Sequence, residues 1–166
     1  MKIYRIKGIC ILLLSVLVTV SGLSLASAED YEAMKGIDSV KVMFDMRDGV
    51  PEIAAGHMTL ILDTWKELSA MGKSPEFVIV FMGSAVRLIS TNRTDFSSEE
   101  RKHIEKIADT VSMMSEAGIR LEACLAAVKY FEIDPGSVLP GIKRVGNGWI
   151  SEIGYQAQGY QLVPVY

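Results

Sequence analysis

The chain has 166 residues, 49% of them hydrophobic, which is enough for one domain with its own core. With 17 Lys+Arg against 20 Asp+Glu, it lacks the positive excess that nucleic acids and anionic membrane surfaces require, and both are excluded as partners.

At the N-terminus, Lys2, Arg5 and Lys7 precede an apolar run from Ile9 to Val20, and Ala26-Ser27-Ala28 offers the small-x-small site of a signal peptidase. This pattern predicts a secretory signal peptide over residues 1–28 and an exported, periplasmic or secreted product. The apolar run is short for a bilayer and no second one follows, so stable membrane insertion is not expected. No cysteine stands immediately after Ala28, so no lipoprotein site is expected. The leader holds three basic and no acidic residues, and cleavage leaves 138 residues with 14 Lys+Arg against 20 Asp+Glu, a net charge of −6. Residues 29–166 read as a single domain.

After a polar lead-in from Glu29 to Ile37, Val40 to Met46 has the β-branched and aromatic content of a strand, ended by the loop Arg47-Asp48-Gly49-Val50-Pro51. Pro51 suits the first turn of a helix. Helical spacing then runs to Met71, with Ile53, His57, Leu60, Ile61, Leu68 and Met71 as the expected inward stripe, Met58, Leu62 and Trp65 beside it, and Gly72 as the stop. Phe77 to Met82 is a continuous apolar run, the pattern of a strand covered on both faces. Gly83-Ser84 turns it towards a short helical stretch at Val86 to Ile89. The polar loop Thr91 to Phe96 contains the sequon Asn92-Arg93-Thr94.

Ser97 and Glu100 form a capping box for a helix whose inward face is Ile104, Ile107, Ala108, Val111 and Met114, ending at Gly118. From Ile119 to Phe131 a short strand runs into a helix, with Cys124 at the junction. Asp134-Pro135-Gly136 and Pro140-Gly141 punctuate. Ile142 to Val145 is a fourth strand, Gly146-Asn147-Gly148 a tight turn, Trp149 to Gln158 a last helix and Tyr160 to Val165 a closing strand. Strands alternating with helices every 25–30 residues or so indicate βαβ units. The predicted fold is a three-layer α/β/α sandwich with a five-stranded, mostly parallel sheet.

In such sheets ligands bind beyond the carboxyl ends of the strands. The segments reaching that rim are Arg47-Asp48-Gly49, Met82-Gly83-Ser84, Cys124 and Gly146-Asn147-Gly148, with Arg47, Asp48, Gly83, Ser84 and Asn147 as candidate ligand contacts. Cys10 leaves with the leader, so Cys124 is a lone thiol in an exported chain, and such a thiol is either buried or used. Its place at a helix N-terminus is a setting in which a cysteine becomes nucleophilic. A buried, inert cysteine that acts only as a small hydrophobe is the competing reading.

The order of elements, the junction Leu121-Glu122-Ala123-Cys124-Leu125-Ala126-Ala127 and the tail from Gly148-Trp149 through Gln156-Ala157-Gln158-Gly159-Tyr160 resemble the DsrE/DsrF-like family of small sulfur-relay proteins. The resemblance implies a flavodoxin-like appearance, homo- or hetero-oligomers, often trimers or hexamers, with a homo-oligomer expected here, and a cysteine after the third strand that accepts sulfane sulfur as a persulfide. Cys124 matches that position, and a sulfur donor or acceptor protein is the implied partner. A non-catalytic oligomeric binding or structural module of the same fold is the alternative.

Of the other chemistry-bearing residues, His57 near the start of the first helix is a candidate base. Arg120, which shares a strand face with Glu122 and Cys124, is a candidate thiolate stabiliser, as is Arg47. No metal is expected, since two histidines and one cysteine lie far apart and scattered methionines such as Met43 and Met46 are ordinary core filler. No organic cofactor is expected either, because no phosphate loop, dinucleotide fingerprint or Gly-x-Ser-x-Gly elbow is present.

Overall fold

The computed structural model describes residues 31–166; the predicted leader over 1–28 lies outside the described residues. Five strands form the sheet: β1 (Ser39–Met46), β2 (Ser74–Phe81), β3 (Arg120–Cys124), β4 (Lys143–Val145) and β5 (Gln161–Val165). Their spatial order is β4-β3-β2-β1-β5 and every pairing is parallel. The helices are α1 (Pro51–Ala70), α2 (Ser98–Glu116), α3 (Leu125–Tyr130) and α4 (Gly148–Ala157).

The chain steps outward from β1 to β4, then returns across the sheet to place β5 on the other side of β1. Right-handed crossovers put the outward helices on one face and the returning helix on the other. The burial pattern agrees. Phe44, Phe77, Ile79, Phe81 and Leu121 form the main core with Met58 and Leu62 of α1 and Ile104, Ile107 and Met114 of α2. Met43, Val78, Val80, Met82 and Cys124, on the opposite face, are covered by α4, whose Tyr155 packs there with Tyr160. Each fully buried side chain of this size contributes about 1.5–3 kcal/mol.

Local chemistry sets the boundaries. Pro51 is the first residue of α1, and Gly72 (φ +72°) and Gly118 (φ +81°) follow α1 and α2 in the left-handed conformation that glycine adopts without strain. The capping box forms as the sequence predicts. The Ser97 Oγ accepts the Glu100 N–H at 3.3 Å, and Glu100 Oε2 accepts the Ser97 N–H at 2.8 Å.

The inward face of α1 differs from the expected one. Ile61 is buried, but Ile53 and Leu60 are 49% and 65% exposed, while Ala54, Ala55, Met58 and Leu62 take the interior. The helix carries two apolar stripes, and the sheet and α2 cover only one. β2 also begins three residues before the apolar run, with Pro75 opposite Val40 near the strand start, where a missing N–H is tolerated. The stretch after it is a 3-10 turn at Gly83–Arg87.

Candidate functional site

Register places the site. Asp45 pairs with Val80 and Val80 with Glu122; one row lower, Met43 pairs with Val78 and Val78 with Arg120. Strand parity therefore sets Arg47, Met82 and Cys124 in one row at the carboxyl rim, on the face that α4 covers. Cys124 ends β3 and precedes the first residue of α3, yet its side chain makes no hydrogen bond to that helix. Instead the Gly148 N–H, the first of α4, donates to Cys124 Sγ at 3.2 Å. The helix terminus that serves the sulfur belongs to α4, 24 residues along the chain.

Gly148 is required for that approach. A Cβ there would lie 2.2 Å from Met82 Sδ and 3.1 Å from Cys124 Cβ. The preceding Asn147 caps α4, accepting the Trp149 N–H at 3.0 Å. The Gly146-Asn147-Gly148 turn is legible in the sequence, but the long-range contact it makes is not.

Cys124 is 5% exposed and opens into a pocket of about 450 Å³. Arg47, Gly83 and Asn147 from the predicted rim line it; Met82, Ala126, Tyr130, Phe131 and Trp149 make the rest mostly apolar. The other rim residues hold the loops in place. Asp48 Oδ1 accepts the Val50 N–H at 2.9 Å, and Ser84 Oγ donates to the Arg47 carbonyl at 3.1 Å, a contact so close that a Cβ on Gly49 would meet Ser84 Oγ at 2.4 Å.

Two predicted partners of the sulfur are placed elsewhere. Arg120 shares the sheet face of Cys124, but about 13 Å of strand separates them. Its guanidinium lies over the Tyr155 and Tyr160 rings, 5.4 and 5.3 Å from their centroids, and reaches the Tyr160 hydroxyl and Glu76. His57 sits on α1, on the far face of the sheet, with Nδ1 3.6 Å from Asp48 Oδ2, beside an apolar groove between α1 and β5. Neither is positioned to act on Cys124.

Sequence spacing assigns no role to three acids that the structure buries between α4 and the sheet, Asp45, Glu122 and Glu152. Glu122 accepts the Tyr155 hydroxyl at 2.9 Å; burial, then this bond, raises the Tyr155 pKa. Asp45 accepts Arg47 Nε at 2.6 Å, and Glu152 Oε1 is 3.9 Å from Arg47 Nη2. Burial, then the Asp45 carboxylate beside it, pushes Glu152 up to about 7 against the opposing pull of Arg47. The Asp45–Arg47 bond in turn raises the guanidinium pKa, keeping the cation fixed. Among the described residues no three His, Cys, Asp or Glu side chains converge as metal ligands, and no helix is long and apolar enough to cross a membrane.

Comparisons with known proteins add the following. A protein of Aquifex aeolicus (strain VF5), described as an uncharacterized protein, is 29% identical over 126 residues, 75% of this chain and 56% of that one; the chain thus spans about half the length of this relative. Two solved structures share the fold. The protein of unknown function MTH1491 from Methanobacterium thermoautotrophicum has a TM-score of 0.54 and 18% identity over 76% of this chain and 98% of its own. The ychN protein from E. coli has a TM-score of 0.53 and 8% identity over 76% and 99%. At these identities the likeness is one of fold. Residues 41–165 match the family model described as DsrE/DsrF-like.

Proposed function

The chain belongs to the DsrE/DsrF-like family, and from that membership and the seat of its cysteine we propose that it carries or senses sulfane sulfur as a persulfide on Cys124, as a carrier rather than a turnover enzyme. The observation that carries this reading is the sulfur itself: Cys124 Sγ accepts a backbone N–H at 3.2 Å and faces a mostly apolar pocket with one guanidinium at its wall. A persulfide needs that combination, because its terminal sulfur is readily oxidised or hydrolysed in open water and is polarised by a fixed donor.

The Cys124 thiolate attacks the outer sulfur of a donor R–S–SH. The donor S–S bond breaks, its electron pair leaves on RS⁻, and the new Cys–S–SH keeps the transferred sulfur and its proton. Attack by an acceptor thiolate on that outer sulfur reverses the step, and no oxidant or reductant is consumed. Tyr130 and Trp149, which line the pocket and are exposed, offer a contact surface to a donor or acceptor protein. Export rests on the basic and apolar pattern of residues 1–28. Assembly into a homo-oligomer, trimer or hexamer, is part of the same proposal and follows from the family.

The test is mass spectrometry of the folded protein after exposure to polysulfide, with Cys124→Ser as control. Gain of one sulfur on wild type and none on the variant supports the carrier. A thiol that alkylates only after denaturation, or a variant that gains sulfur equally, overturns it and leaves an oligomeric module with a packing cysteine.

A further inference from the structure

Behind Arg47, which lines the pocket, lies an unbalanced charge arrangement that the carrier role alone does not call for. Arg47 lines the pocket with its side chain 34% exposed, and its guanidinium is shared by two carboxyls, Asp45 at 2.6 Å and Glu152 at 3.9 Å, whose side chains are only 8% and 11% exposed. Asp45 Oδ1 and Glu152 Oε1 are buried without a hydrogen-bond partner. Two acids against one base leave one negative charge too many when both are ionised, directly behind the guanidinium that lines the pocket of Cys124. One proton on Glu152 makes the group neutral.

The charged and titratable groups that face Glu152 are few. From β1 come Asp45 and Arg47; from β3 come Glu122, which Tyr155 of the same helix engages, and Cys124; β2 presents only Val80 and Met82 at this level, and Tyr166 beyond β5 adds to the field at Arg47. Lys41, Glu76, Arg120 and Tyr160 cluster at the opposite end of this sheet face.

Resting on the carrier reading, we propose that this pocket selects a soft, singly charged sulfur anion, an organic persulfide or a hydrogen polysulfide, held by Arg47 beside Cys124, and that binding is coupled to uptake of a proton by Glu152. The selectivity follows from the lining. One guanidinium already paired with a carboxylate, one N–H already on the sulfur and walls of Met82, Ala126, Phe131 and Trp149 cannot replace the hydration shell of a dianion such as sulfate or thiosulfate. A weakly hydrated monoanion loses far less. The coupling follows from charge balance: an arriving anion replaces Glu152 as the second negative partner of Arg47, and the displaced carboxylate is left buried and best protonated. The position of Glu152, near 7, makes this uptake measurable at neutral pH.

The experiment uses thiocyanate, a redox-inert monoanion ending in sulfur, titrated calorimetrically into the Cys124→Ser protein in two pH 7 buffers of different ionisation heat, with sulfate as comparator. Because no sulfur can transfer to serine, the result is independent of whether Cys124 carries sulfur, which wild-type mass spectrometry decides. The expected result is saturable thiocyanate binding that exceeds sulfate binding, uptake of about half a proton, and affinity that falls several-fold between pH 6 and pH 8. Adding Glu152→Gln keeps binding and abolishes both the uptake and the pH dependence. Arg47→Gln lowers affinity at least about ten-fold, while Arg47→Lys, which keeps a cation over Asp45, retains part of it. Absence of saturable binding, sulfate bound as well as thiocyanate, insensitivity to Arg47, or uptake that persists in Glu152→Gln each overturns the proposal.

Discussion

Replacing Gly148 by alanine tests how the sulfur is seated. The new Cβ would lie 2.2 Å from Met82 Sδ and 2.8 Å from Met82 Cγ, well inside van der Waals contact. Met82 is 3% exposed, and the space open to it is the pocket whose wall it already forms. Overpacking of this kind costs about 1–3 kcal/mol, and at the first position of α4 alanine recovers little of it, because its propensity advantage over glycine belongs to helix interiors. The net loss is about 1–3 kcal/mol, a fall in Tm of about 3–15 °C for a domain of this size. The displaced Met82 also fills the approach to Cys124, so alkylation by a bulky maleimide slows. Thermal unfolding and alkylation rates are measured for Gly148→Ala, Met82→Ala and the double variant. Because Met82→Ala removes the clashing atoms, the double variant should be more stable than the sum of the singles by about 1 kcal/mol or more, and it should regain alkylation. Additive stabilities with an unchanged alkylation rate in Gly148→Ala refute the close approach.

Stability should also depend on Glu152. A carboxyl whose folded pKa is raised from 4.5 to about 7 holds its proton more tightly in the folded state, so its contribution is full below pH 4.5 and is lost as pH rises through 7. Wild type should lose on the order of 1–2 kcal/mol across that window after allowance for solvent screening, Glu152→Gln should lose little, and urea unfolding at pH 5 and pH 8 measures both. On α1, Leu60→Ser should change stability by no more than about 0.5 kcal/mol while Ile61→Ala costs about 2–4, a contrast that denaturant titration reads directly and that the opposite helix orientation would invert. Ser97→Ala removes the side-chain acceptor at the start of α2 and should cost about 1 kcal/mol; an unchanged unfolding midpoint would contradict the cap.

What the sequence discloses of this molecule is its local part. Ser97 and Glu100 lie three residues apart and form their bonds within one turn, and the unbroken apolar run at Phe77–Phe81 has one interpretation, a strand covered twice. The inward face of α1 is less legible, because Ile53 and Leu60 are as apolar as Met58 and Leu62; the choice is made by α2 on one flank and by the sparsely covered β5 on the other. Strand parity places Arg120 on the face of Cys124, and the same geometry, counted along the strand, puts it four residues away, where Tyr155, Tyr160 and Glu76 claim it. The donor to the sulfur and the acids beside Arg47 were hidden for a different reason. Gly148 and Glu152 reach the sheet only because the chain crosses back from β4 to β5, and no spacing in the sequence encodes where that crossing helix lands.

Among the described residues, α4 stands on the face of the sheet that holds the cysteine without a neighbouring helix to brace it. Its ten residues supply the N–H on the sulfur, the second carboxyl of Arg47 and the phenol on Glu122, while Trp149, Ile150 and Ile153 stay largely exposed. Lifting this one helix undoes all three contacts at once and leaves the main core, on the other side of the sheet, intact. The donor to the sulfur is therefore expected to come away in a local opening cheaper than global unfolding. Amide exchange along α4 reads that opening, and with it the loss of the Gly148 N–H from the sulfur.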